Sequence, residues 1–426
     1  MEGKNTMKKT LALLLALVML LGLTACSGEG DKDLLGMSAA PIDAVELKVD
    51  YTVPADFKIG FICLHSEEST YDLNFLKAVD AIKAAAKLTN EQVIVKTNVP
   101  EGNECYVAAK DLADAGCDII FANSFGHEDF MIQAAREFPD VQFCHATGTK
   151  AHTAGLANYH NAFASIYEGR YLAGVAAGMK LNEMIEAGKF TAEQAKIGYV
   201  GAFTYAEVIS GYTSFYLGAK SVCPTVTMDV QFTGSWYDAT EEKNAAEALI
   251  AGGCKLISQH ADSMGAPSAC EAAKIPNVSY NGSTYDACPE TFIVSSRIDW
   301  APYYNYIIKS VVNKTPIAAD WCGGIAEGSV VLTGINQDVA AEGTVQAIKD
   351  TVAKLKDGTV KVFDVTTFTV GGKAVTEEQL ADVDTDANFT PETKIVSDGA
   401  YNESKFRSAP YFDLRIDNIK LLNEKF

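Results

Sequence analysis

No C-x-x-C pair occurs anywhere in this chain, which excludes zinc-ribbon and thioredoxin-like readings. No G-x-S-x-G elbow and no Walker-type phosphate loop is present either, removing two common frameworks for hydrolysis and phosphoryl transfer. The six histidines (65, 127, 145, 152, 160 and 260) are scattered without H-x-x-x-H or H-E-x-x-H spacing, so no metal site is expected. Asp382 to Asn388 opens like a calcium loop. Ala387 stands where the turn glycine belongs and Thr393 where the bidentate glutamate belongs, so a solvated turn is the expectation. Paired carboxylates in a catalytic context are also missing, and neither enzymatic turnover nor a cofactor is expected. Basic residues are short as well. With 35 Lys and Arg against 55 Asp and Glu, the formal net charge is −20, which disfavours nucleic acid and anionic membrane surface as partners.

What is present begins with a leader. Residues 7–26 read MKKTLALLLALVMLLGLTAC: a basic head at Lys8 and Lys9, an apolar run from Leu11 to Leu23, and a small-residue exit ending at Cys26. The run is too short and wrongly flanked for a membrane span and reads as a secretory signal. The terminal L-T-A-C resembles a bacterial lipoprotein box, whose cysteine is diacylated after cleavage. An ordinary signal peptide with an incidental cysteine is the alternative. Two acyl chains would give stable anchoring. The expected location is therefore extracytoplasmic, on the bacterial cell membrane, with 1–26 removed as signal and 27–55 serving as tether.

Nine further cysteines lie at 63, 105, 117, 144, 223, 254, 270, 288 and 322. Several sit in apolar strand-like settings, where a thiol acts as a small hydrophobe, and most are expected to be reduced. Reduced cysteines outside the cell hint at an anaerobic habitat.

The roughly 400 residues after Cys26 exceed one core and suggest two domains. Short apolar runs and amphipathic stretches alternate from Phe57 to His145, then again from Ala195 to Tyr280 after a long helical segment at 165–186. That rhythm predicts doubly wound parallel sheets in two lobes with a cleft between them. The expected division is 56–164 plus 294–342 for the first lobe and 165–293 for the second. Residues 343–426 would form a helix and β-rich extension packed on both.

Ligands of open parallel sheets sit beyond the carboxyl ends of the strands. The loops there (65–72, 123–129, 202–207, 233–238, 259–263 and 281–286) are rich in aromatic, acidic and amide residues and almost free of basic ones. That set suits a flat, neutral, hydrogen-bonding ligand better than a phosphate or carboxylate.

Phe232-Thr-Gly-Ser-Trp-Tyr-Asp238, followed by Asn244-Ala-Ala-Glu-Ala-Leu-Ile250, resembles the basic membrane lipoprotein family, ABC-transporter substrate-binding lipoproteins of the purine-nucleoside type. Supporting blocks are Asn123–Asp129, Phe138–Phe143, Tyr167–Gly174 and Ser408–Asp417, in the family's order from about Phe57 to the C-terminus. The resemblance implies a type I periplasmic-binding-protein-like fold of two doubly wound sheets with an interlobe cleft. It also implies a purine nucleoside or base stacked between two rings, and partnership with ABC permease and ATPase subunits. Tyr71 and Trp236 would be those rings. Glu68, Thr70 and Asp72 match the family's first-loop motif, and Phe125 lies in a matching block. Asp129 stands where the family's acid meets ribose, although it could equally be a helix N-terminal acid favoured by the dipole. Asp72 is similarly open to a capping role. Asp262 lies in a loop that replaces a Gly-rich one, Asn281 stands where many members have aspartate, and no lysine is evident near Arg297–Trp300. A sensory binding lipoprotein, a sugar or autoinducer receptor, and a secreted nucleoside hydrolase are the rival readings.

Overall fold

The computed structural model describes residues 46–383 and 390–424. The leader, Cys26, most of the tether and residues 384–388 of the acidic run lie outside the described residues.

The first sheet contains β1 (Ile59–Ile62), β2 (Val93–Lys96), β3 (Ile119–Ala122), β4 (Gln142–Ala146) and β5 (Tyr159–Ala164). The second contains β6 (Lys196–Gly201), β7 (Thr227–Phe232), β8 (Leu256–His260), β9 (Asn277–Tyr280) and β10 (Phe292–Ile298). β11 (Asp320–Gly323) joins the first sheet beside β5, and β12 (Val330–Leu332) joins the second beside β10. The strand orders β2-β1-β3-β4-β5 and β7-β6-β8-β9-β10 repeat one winding twice. This is the two-lobed α/β architecture of type I binding proteins, with sheets that are parallel except where β12 runs antiparallel to β10, covered by helices on both faces.

Helices α1 (Thr70–Ala85), α2 (Asn103–Asp114), α3 (Glu128–Glu137) and the short α4 (Ala151–Ala154) connect strands of the first sheet. Helix α5 (Ile166–Glu186) crosses to the second lobe, where α6 (Ala206–Val222), α7 (Ala239–Ala251) and α8 (Gly265–Ala273) follow. Helices α9 (Ala301–Val312) and α10 (Thr344–Lys356) complete the set.

Local chemistry explains these elements. β1 is apolar throughout and buried throughout, as a central parallel strand must be. Ser69 opens α1 by accepting the Asp72 N–H at 3.2 Å, and Phe75, Ala78, Val79 and Ile82 form its buried stripe. Helices α5 and α6 cross so closely that a Cβ on Gly174 would lie 2.0 Å from the Phe215 carbonyl oxygen, so glycine is required there.

Two departures from the sequence reading have clear causes. β5 was not foreseen, because His160 and Asn161 interrupt its apolar pattern. Both are buried and satisfied: His160 lies between Ala318 O (3.1 Å) and Gln142 Oε1 (2.9 Å), and Asn161 Oδ1 accepts the Ala151 N–H at 2.7 Å. The assignment of 294–342 to the first lobe also needs correction. β10 pairs with β9 and β12 pairs with β10, so both belong to the second sheet; only α9 and β11 lie with the first. Helix α9 docks there through Trp300, stacked on Phe75 of α1 at 4.6 Å.

Residues beyond α10 form short hairpins and then a strap. Ser408 bonds Asp320 of β11 at 2.8 Å through its hydroxyl, while the Ser210 hydroxyl of α6 donates to Glu403, so the strap touches both lobes. Beyond the strap a further strand, Ile419–Leu421, runs parallel to β7 at the edge of the second sheet. Among the described residues, no helix is long and apolar enough to cross a membrane.

Candidate functional site

All six strand-end loops singled out in the sequence contribute to one narrow slot between the lobes. The first lobe supplies Leu64, His65, Tyr71, Asp72, Ser124, Phe125 and Thr147. The second supplies Glu207, Trp236, His260, Asp262, Tyr280 and Asn281. Neither lysine nor arginine lines it among the described residues.

Asp72 is fully buried in the first turn of α1. Its Oδ1 accepts the His65 N–H at 3.0 Å and the Asn123 side-chain amide at 2.7 Å. His65 Nδ1 stands 3.4 Å from Oδ2, which has no hydrogen-bond partner among the described residues. Burial opposes the charge, but bonds from His65, Asn123 and Ser69 outweigh it and hold the carboxyl below its usual range. A carboxyl held toward its charged form therefore lines the slot.

Asp262 has the opposite setting. Burial, then the nearby Glu242 carboxyl, raise its pKa well above the ordinary value, although Asn281 Nδ2 donates to Oδ1 at 2.9 Å. Asp262 thus keeps its proton to higher pH than Asp72. Asn281 holds this bond from a left-handed backbone, φ 67°. Asparagine tolerates that conformation because its short polar side chain bonds locally.

Aromatic rings line both walls. Tyr71 is fixed by its hydroxyl, which donates to Asn123 O at 2.6 Å, and by edge contact with Phe75 at 4.8 Å. Trp236 is braced edge-on by Phe203 at 5.0 Å, and Phe203 stacks on Tyr205 at the same distance. Two ring pairs bridge the lobes: Phe125 with Tyr205 at 5.5 Å and His65 with Tyr237 at 5.7 Å.

Six of the eight residues expected from the sequence to meet ligand (Tyr71, Asp72, Phe125, Trp236, Asp262 and Asn281) line this slot together. Glu68 and Asp129 do not. Glu68 is exposed and accepts from the Ser66 hydroxyl. Asp129 faces a surface recess, paired with Lys150 Nζ at 2.6 Å. Its neighbour Glu128 turns inward, where Oε1 accepts the Thr149 and Lys150 N–H groups at 2.8 and 2.9 Å. Glu207, His260, Tyr280 and Thr147 were not foreseen as site residues. The first two lay within the loops already marked. Tyr280 ends a strand, and Thr147 follows β4 in a left-handed turn, φ 66°.

Outside the slot, a wider, more open recess adjoins it past Phe125, Tyr205 and Glu207 and is walled by Arg407, Ala409, Pro410, Tyr411 and Asp413 of the strap. No group of three or more metal-ligating side chains occurs among the described residues.

Residues 64–366 match the Bmp family, described as ABC transporter substrate-binding protein PnrA-like. A purine-binding protein of Brucella abortus is 34% identical over 62% of this chain and 71% of its own length. The nucleoside-binding protein BmpA of a Lactococcus lactis ABC transporter is 26% identical over 58% of this chain and 71% of its own. A Haloferax volcanii protein named for glucose binding in an ABC transporter is 33% identical over 58% of each chain. Among solved structures, an ABC transporter solute-binding protein from Conexibacter woesei superposes with a TM-score of 0.58 at 19% identity, covering 72% of this chain and 98% of that one. One from Aeropyrum pernix gives 0.59 at 16%, covering 72% and 92%; both speak to the fold. The chain belongs to the Bmp family and is a PnrA-like substrate-binding protein of an ABC transporter, a binder rather than an enzyme.

Proposed function

We propose that this protein captures a purine nucleoside or purine base between its lobes and delivers it to an ABC permease and ATPase, held at the membrane by a diacylated Cys26. The observation that carries the ligand class is the pairing of rings with carboxyls in one slot. Tyr71, Phe125 and Trp236 offer flat apolar faces; Asp72, Glu207 and Asp262 offer oxygen to N–H and hydroxyl groups. A purine presents two aromatic faces and an edge of alternating donors and acceptors. The names of the Brucella and Lactococcus relatives support the same class.

Calorimetry with adenine, guanine, hypoxanthine, their nucleosides, ribose and glucose tests the assignment. Micromolar or tighter binding of a purine compound is expected. The Haloferax relative favours a sugar as second reading, and binding of glucose without any purine would replace the first with it. Anchoring is tested separately by detergent-phase partition of the full chain and a Cys26→Ser variant, of which only the full chain should enter the detergent phase.

A further inference from the structure

Arg170 is a fully buried cation with no carboxylate among its described partners. Its guanidinium lies under the second-lobe wall of the slot. It donates to Ser279 O at 3.1 Å, to Ser258 Oγ at 2.9 Å and to the Tyr199 hydroxyl at 3.1 Å. The rings of Phe215 and Tyr280, with centroids 4.9 and 5.0 Å away, share its charge. An arginine has no acceptor and does not deprotonate in proteins, so every bond it makes has a fixed direction.

That direction propagates. The Tyr199 oxygen accepts from Arg170, and its own proton has one acceptor among the described residues, Nδ1 of His260 at 3.4 Å. A neutral imidazole accepting at Nδ1 carries its hydrogen on Nε2. Burial, the largest influence, lowers the His260 pKa and outweighs the Glu207 carboxyl, which raises it; the Arg170 charge adds a smaller lowering, and the net direction favours the neutral ring. The ring is also clamped: it lies 4.4 Å from Tyr280, and a Cβ on Gly211 would come within 2.4 Å of Nδ1. His260 Nε2 is buried and makes no hydrogen bond to the described residues; Glu207 Oε1 stands 3.5 Å away, within ion-pair distance, in a residue that lines the slot.

We propose that Arg170 and Tyr199 set the tautomer of His260 so that its Nε2–H is a fixed donor to a ring-nitrogen or carbonyl acceptor of the ligand, making His260 a specificity-determining residue. Among purines, the point of contact is then an unprotonated ring nitrogen or a carbonyl oxygen. Arg170 and Tyr199 are positioning residues, acting on the ligand only through the imidazole. The ligand half of this inference rests on the purine reading; the tautomer half does not.

Two measurements test it. Nitrogen-15 NMR of the ligand-free protein should show His260 as a neutral Nε2–H imidazole, and Tyr199→Phe should shift it toward the other tautomer. An Nδ1–H imidazole in the unaltered protein, or no change in the variant, overturns the relay whatever the ligand. Calorimetry then uses the tightest-binding purine beside its 1-deaza, 3-deaza and 7-deaza analogues, or its deoxo analogue for an oxopurine. One analogue should bind at least tenfold more weakly to the unaltered protein, and that penalty should fall below threefold in Tyr199→Phe. A merely structural role for Tyr199 would weaken all compounds alike, and a penalty that persists unchanged overturns the specificity role. If no purine binds, the purine reading and the ligand half fail together, while the NMR result still decides the relay.

Discussion

The main-chain carbonyl of Asp262 accepts two hydrogen bonds from Thr70, one from the N–H and one from the hydroxyl, each at 3.2 Å. Thr70 opens α1 in the first lobe; Asp262 follows β8 in the second. The lobes therefore touch directly at the slot, between residues adjoining Tyr71 and Trp236, and closure is tied to the segments that hold ligand.

Thr70→Val removes the hydroxyl bond and keeps the N–H bond and side-chain shape. One neutral hydrogen bond contributes about 1 kcal/mol net, so ligand affinity should fall roughly fivefold through loss of closed-state stability. Calorimetry measures the affinity and small-angle scattering the opening of the ligand-free protein. Unchanged values in both would mean that this contact does not govern closure.

Trp236→Ala should weaken purine binding by about 10- to 100-fold, since a stacked ring in a desolvated slot is worth roughly 1.5–3 kcal/mol. Trp236→Phe should recover most of that loss. A tryptophan packed only against Phe203 would instead change the melting temperature while leaving affinity alone.

Asp72→Asn keeps an oxygen to accept from His65 and Asn123 but discharges the group. Its folded pKa is depressed, so its contribution to stability is present above the ordinary aspartate range and lost as pH falls through the folded value. The variant should bind at least tenfold more weakly at pH 7 and lose part of the acid sensitivity of unfolding. Asp129→Asn, altering an exposed pair with Lys150, should bind within twofold of the original. Similar losses in the two variants would restore Asp129 to the site.

Burial pushes the Glu403 carboxyl, beneath α6, up to about 7 from 4.5. Between those values the folded protein holds a proton that the unfolded chain releases. Stability therefore declines as pH rises across that window and stays low above it. Glu403→Gln retains an acceptor for Ser210 and should add about 1–3 kcal/mol at pH 8 but little at pH 4.5, read from urea midpoints. Equal effects at both pH values would refute a protonation origin.

The nine described cysteines are all unpaired, and eight are buried. Burial raises their thiol pKa values, to about 12 for the less buried Cys322. A chromogenic disulfide reagent should label none within minutes in the folded protein and all nine in urea, and dithiothreitol should leave the melting temperature unchanged. Rapid labelling of the folded protein would contradict this packing.

Strand winding and the loops of the slot were legible because buried parallel strands are apolar runs and ligands sit at their carboxyl ends. Side-chain direction was not legible. Glu128 and Asp129 are adjacent acids at one helix start, and only packing against Thr149 and Lys150 decides which turns inward. His260 lay in a marked loop, but nothing local singled it out, because its buried contacts come from Tyr199, 61 positions away, and Arg170 beyond it. Lobe membership failed at β10, since a strand's sequence does not say which sheet receives it.

The contact between Asn423 and Phe232 has a consequence in time. Asn423 clamps Phe232 through both main-chain groups, at 2.8 and 2.9 Å, across 191 residues, just before the loop that carries Trp236. A chain made from its N-terminus lays down that loop long before the residues that steady it. Until synthesis reaches Asn423 the loop lacks this clamp, and a product that stops before that residue would present two recognisable lobes around a loosely held tryptophan.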